Sequence, residues 1–149
     1  MKSYFITELD VELCPGSDGI WTLLSPLVYW SDLLKKQIVV PHSFPAVSFY
    51  TDFASIPRWI PLASNVLLDT AHREGTLHDY LYRIDSEPVV SRSDADAVFR
   101  EAALCRGKSW ITAYTLWFGV RVGGWTAYHK HYVYDNLTDK EIKQHQQKR

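Results

Sequence analysis

Apolar positions change their period about a third of the way along this chain. Up to about residue 54 they fall in short β-branched or aromatic runs: Ile20 to Leu24, Leu27 to Trp30, Gln37 to Val40 and Val47 to Tyr50. Pro15-Gly16-Ser17-Asp18-Gly19, Ser25-Pro26, Pro41 and Pro45 separate these runs, a punctuation that predicts strands joined by turns. From about Ser64 onward the repeat is helical. One helix is expected over Leu67 to Arg83, because Ala71, Gly75, His78 and Tyr82 recur at steps of four, three and four and share a face. A second opens on Ser91-Arg92-Ser93-Asp94, turns Ala95, Val98, Phe99 and Ala102 inward, and stops at Gly107. Asp96 lies near the edge of that apolar face. A third runs from Ser109 to about Val122 and ends at Gly123-Gly124, and Tyr128 to Tyr134 alternates like a last strand. The pattern predicts one α+β domain over residues 1–138, with 1–54 a mainly antiparallel β portion packed on a mainly helical 64–124. Residues 139–149, charged and Gln-rich, are expected to form a mobile tail.

Composition narrows the function classes. The 149 residues are enough for one core and too few for two independent domains. With 16 Lys plus Arg against 17 Asp plus Glu there is no basic field to condense on phosphate backbones, so nucleic acid is not an expected partner. Cys14 and Cys105 lie far apart without CxxC spacing, which argues against a disulfide framework or a thiolate zinc site. The N-terminus turns acidic at Glu8 before any apolar run forms, so no secretory signal is read there. Trp110 to Val120, broken by Thr112 and Thr115, falls short of the roughly 20 residues of a spanning helix. The aromatic residues, six Trp, nine Tyr and six Phe, belong by default to the core, with some available to a groove or interface.

The chemistry concentrates in Leu77-His78-Asp79-Tyr80-Leu81-Tyr82. On a helix His78 and Tyr82 are neighbours four apart, whereas Asp79 projects about 100° away and cannot orient His78. Asp96, across a short loop on the next helix, is the candidate partner. A carboxylate there fixes the imidazole tautomer and leaves the other ring nitrogen to activate water, a contribution of roughly 10²–10⁴-fold. Asp79, pointing aside, is free to hold a hard cation together with backbone carbonyls. The same residues also suit a satisfied structural network, since buried polar groups are normally paired whatever their role. Asp52, entering Ser55-Ile56-Pro57, either caps a short helix or joins the His78 cluster with Ser55 in support. His72 and His78 are on different helix faces, and His129 with His131 lacks a third ligand, so a zinc site is disfavoured. Cys105 at a helix C-terminus is a poor thiolate. No GxSxG, GxxxxGK or GxGxxG segment occurs.

His78, Asp79 and Tyr82 resemble the HDxxY signature of secreted and parvoviral phospholipase A2, and Ala95-Asp96-Ala97-Val98-Phe99 resembles the parvoviral element that supplies a second Asp. That resemblance implies His78 as base for water, Asp79 as calcium ligand, and Asp96 with Tyr82 as support. It spans about 30 residues, and the glycine-rich calcium loop and paired cysteines that accompany the signature are absent here. A longer resemblance, over roughly residues 20 to 127, is to an uncharacterised phage and prophage family, domain of unknown function 1353. Its pattern matches Ile38-Val39-Val40-Pro41, Thr51-Asp52-Phe53-Ala54-Ser55-Ile56-Pro57-Arg58, Leu77 to Tyr82, Arg92-x-x-Ala95-Asp96-x-x-Phe99 and Arg121-Val122-Gly123-Gly124-Trp125. The family usually carries a Gly-Phe turn before TDFAS, where this chain has His42-Ser43-Phe44 and a longer spacer.

Two readings follow from these resemblances. The first is a phage hydrolase that cleaves an ester or amide of the host envelope with a His78–Asp96 dyad and water, Asp79 holding a divalent ion. The second is a non-enzymatic virion or tail component, or a host-directed binder, in which the HDxxY cluster is a structural lock and the aromatic 109–134 segment is the contact surface. Either would act in the host cytoplasm or aboard the virion, with a host envelope component or other phage proteins as partners.

Overall fold

A computed structural model of the chain describes residues 2–13, 21–42, 50–51, 71–83, 85–124 and 128. Among these the first part of the chain forms β1 (Tyr4–Phe5), β2 (Val11–Leu13), β3 (Trp21–Leu23), β4 (Leu27–Ser31), β5 (Lys36–Val40) and β6 (Tyr50–Thr51). All pairings are antiparallel, in two three-stranded sheets ordered β1-β4-β5 and β2-β3-β6. The β4–β5 hairpin runs from Leu27 opposite Val40 to Ser31 opposite Lys36. Its period of two is visible in burial: Leu27, Tyr29, Ser31, Ile38 and Val40 face inward, and the residues between them face outward or are half-buried.

Three helices follow: α1 (His72–Tyr82), α2 (Arg92–Cys105) and α3 (Trp110–Gly123). Ser91 caps α2 by accepting from the Asp94 backbone N–H at 3.1 Å, and Ser109 caps α3 by accepting from Thr112 N–H at 3.1 Å. Gly107 ends α2 at φ +82°, where an L side chain is strained and glycine is not. The inward residues expected of α2, namely Ala95, Val98, Phe99 and Ala102, are all buried.

The core joins the first sheet to α1 and α2. Leu27, Tyr29, Ile38 and Val40 from that sheet and Leu23 of β3 meet Leu77, Leu81, Val98 and Ala102 from the helices, while α3 lies against α2. The α+β architecture is thus the one the patterning predicts. β1 and β2 were not expected: two- and three-residue strands are too short to show a period. The expected start of α1 at Leu67, most of the Val47 strand, the Tyr128 to Tyr134 strand beyond its first residue and the 139–149 tail lie outside the described residues.

One carboxylate ties sheet to helix. Glu101 of α2 accepts from Ser31 Oγ at 2.7 Å, Tyr29 OH at 3.1 Å and the Leu33 backbone N–H at 2.7 Å. A single side chain therefore pins both the end of β4 and the hairpin turn. Burial raises the Tyr29 phenol above its ordinary value, with the neighbouring Glu101 charge adding to the effect, so this hydroxyl stays a donor.

Candidate functional site

Helical spacing brings the motif together. His78 and Tyr82 stack four residues apart on α1 with ring centroids 4.0 Å apart, and Phe99 of α2 closes against the imidazole at 5.2 Å. Asp96, one turn before Phe99, accepts from both: its Oδ1 lies 2.8 Å from His78 Nε2 and 2.5 Å from Tyr82 OH. Its second oxygen, Oδ2, receives Arg121 Nη1 of α3 at 3.0 Å, with Arg92 Nε at 3.9 Å. Arg92 in turn donates to the Arg121 carbonyl. One carboxylate thus collects groups from α1, α2 and α3.

His78 and Asp96 are both fully buried. A buried carboxylate is normally driven toward its neutral form by desolvation; here the hydrogen bonds from His78, Tyr82 and Arg121 outweigh that and hold Asp96 below the usual carboxylate range. Tyr82 moves the opposite way: burial raises its phenol, and its bond to ionised Asp96 raises it further, so Tyr82 remains protonated and donates. With Nε2 committed to an ionised acceptor, the proton of a neutral His78 sits on Nε2 and the lone pair on Nδ1. Nδ1 is buried and has no hydrogen-bond partner among the described residues.

Asp79 points away from this cluster, as helical geometry predicts. It is half-buried and accepts from Thr51 Oγ1 of β6 at 2.8 Å, which ties β6 to α1. Asp52 and Ser55 lie outside the described residues, as do His129 and His131. Among the described residues no three His, Cys, Asp or Glu side chains converge. Cys105 is half-buried, and burial followed by the nearby Glu74 and Glu101 charges raises its thiol, against a nucleophilic role.

Sequence reasoning missed Arg121 and Arg92 as partners of Asp96. Nothing local in Arg121-Val122-Gly123-Gly124 marks its arginine as the partner of Asp96. It also missed Glu74, a fully buried carboxylate on α1 that receives Arg106 Nη1 at 3.2 Å with Lys108 Nζ at 3.9 Å. Nothing in Arg73-Glu74-Gly75 distinguishes it from a solvated helix residue.

Gly124 shows how tightly the C-terminal end of α3 abuts the cluster. A Cβ placed there would lie 2.5 Å from Tyr82 OH and 2.5 Å from the Val120 carbonyl oxygen. Gly124→Ala is expected to cost about 1–3 kcal/mol by overpacking, and to push Tyr82 off Asp96. Thermal unfolding of Gly124→Ala alone and together with Tyr82→Phe checks this. A penalty that Tyr82→Phe, which lacks the clashing hydroxyl, fails to relieve would place the strain at the Val120 carbonyl instead.

No helix among the described residues is long and apolar enough to cross a membrane. No curated protein and no solved structure matches the chain. A family model does match, over residues 21–120, and that span takes in β3 to β6, all of α1 and α2, and His78, Tyr82, Arg92 and Asp96, with Arg121 one residue beyond it. The chain belongs to the family described as Protein of unknown function (DUF1353).

Proposed function

We propose that the chain is a phage hydrolase that uses His78 as general base on water to cleave a carboxylic ester or amide, a phospholipid ester being the first substrate class to try. One observation carries this reading. An imidazole oriented through Nε2 by an ionised carboxylate keeps a buried Nδ1 lone pair with no protein partner among the described residues. Buried polar atoms are normally paired, so the orphan Nδ1 of an imidazole already oriented by a carboxylate points to a group that arrives from outside. In the step proposed, Nδ1 takes a proton from water as its oxygen bonds to the carbonyl carbon. Asp96 stabilises the resulting imidazolium, and the imidazolium returns the proton to the leaving oxygen or nitrogen as the acyl bond breaks. Tyr82 and Arg121 hold Asp96 in place; they are positioning residues.

The structural reading is favoured by a different observation, the complete burial of both His78 and Asp96. His78→Gln separates the two readings. A glutamine amide nitrogen can take the place of Nε2 and keep the bond to Asp96, but offers no base where Nδ1 was. Release of fatty acid from phosphatidylglycerol micelles and cleavage of acyl amides are measured with and without calcium. The hydrolase reading expects turnover that falls roughly 10²–10⁴-fold in His78→Gln with melting unchanged. Calcium-dependent turnover that also vanishes in Asp79→Asn would give Asp79 the cation-binding role. Absence of turnover on both substrate classes, with His78→Ala collapsing and His78→Gln folding normally, establishes the structural lock and a non-enzymatic virion or binding role.

A further inference from the structure

Helix α3 is apolar on two sides. Ala113, Leu116 and Val120 face the protein interior, which is ordinary. The opposite side carries Trp110, Ile111 and Phe118 at 67, 61 and 60 % exposure, with Tyr114 and Val122 completing a stripe at helical spacing. A surface helix normally answers its buried stripe with a polar face. This one places its largest apolar side chains in water, and single exposed apolar residues do not line up along a helix by default.

The sequence that carries the stripe has no acidic side chain. α3 contains no acidic residue, and none occurs from Ala102 through Tyr134 in a chain whose overall net charge is −1. Arg100 of α2 lies on the same side, its guanidinium 4.7 Å from the Tyr114 ring centroid and 5.2 Å from that of Trp117. Aromatic side chains on an acid-free helix with Arg100 beside them match the interface of an anionic lipid bilayer, where rings sit at headgroup level and cations meet phosphate. The 14 residues of α3 span roughly 21 Å, short of the ~30 Å hydrocarbon core, so the helix would lie in the plane of the interface.

A second copy of the chain is the other natural cover for an apolar stripe. Two-fold pairing would set two acid-free, arginine-bearing faces against each other, and like charges in register disfavour it.

We propose that the exposed face of α3 is a docking surface for anionic phospholipid bilayers. This goes beyond the hydrolase reading and stands on separate residues. The test is co-sedimentation with vesicles of phosphatidylglycerol or of phosphatidylcholine, for wild type, Trp110→Ser/Phe118→Ser, Arg100→Glu and His78→Gln. Wild type and His78→Gln are expected to bind phosphatidylglycerol vesicles at least tenfold more tightly than phosphatidylcholine, more weakly as salt rises. Trp110→Ser/Phe118→Ser and Arg100→Glu are each expected to lose that binding with unchanged melting temperature. The proposal is overturned if wild type ignores anionic vesicles, if the variants bind as well as wild type, or if light scattering shows an oligomer that Trp110→Ser/Phe118→Ser alone converts to monomer. Because His78→Gln is expected to bind while turning over nothing, failure of docking and failure of catalysis read out independently.

Discussion

Replacing Asp96 by alanine is expected to lower the unfolding free energy by about 3–5 kcal/mol, the range for breaking a buried charged network by removing one partner. The reason lies in what is left behind. His78 Nε2, Tyr82 OH and Arg121 Nη1 all lose their acceptor, and the first two have no water to turn to. Asp96→Asn keeps the shape and gives up the charge, so it should cost less. The pH dependence has a definite sign. Asp96 is held below the ordinary carboxylate value, so its contribution is fully present above about pH 4 and is lost as pH falls through its lowered folded value. Urea unfolding of wild type and Asp96→Asn from neutral pH down to 3 should show a wild-type acid limb that the variant flattens. A loss below 1 kcal/mol for Asp96→Ala, or an identical acid limb in Asp96→Asn, would mean that the cluster contributes little net stability.

Glu101→Ala should give the second large effect, about 2–4 kcal/mol. Tyr29 and Ser31 are fully buried, and both donate to the same carboxylate oxygen. Each buried donor left without an acceptor costs roughly 1–3 kcal/mol. Leu33 N–H is exposed and can return to water, so it adds little. Glu101→Gln retains an oxygen for two of the three donors and is expected to recover more than half of the loss in denaturant melts. Equal destabilisation by alanine and glutamine would show that the carboxylate charge, not acceptor geometry, holds the hairpin to α2.

The helical half of the fold was more legible than the β half, for a physical reason. Capping serines, the stop at Gly107 and the spacing of Ala95, Val98, Phe99 and Ala102 are local signals, and α2 and α3 start and end within a residue or two of where those signals put them. Strand pairing is non-local. Nothing between Val11 and Thr51 says that β6 will pair with β3, or that β1 will pair with β4. The same divide runs through the site. His78 beside Tyr82 follows from a step of four, and Asp96 from a short connection between helices. Arg121 is 25 residues from Asp96 and reaches it only because α3 packs on α2. Glu74 and Glu101 look like solvated helix residues and prove to be anchored, because their partners come from elsewhere in the chain.

Asp96 is held from all three helices at once, and this shapes how the helical layer comes apart. No helix can peel away without stranding a buried donor or charge on the other two, so partial opening of this layer carries nearly the cost of losing it whole. α1, α2 and α3 should therefore melt as one cooperative unit, with the motif-bearing helix no looser than its neighbours.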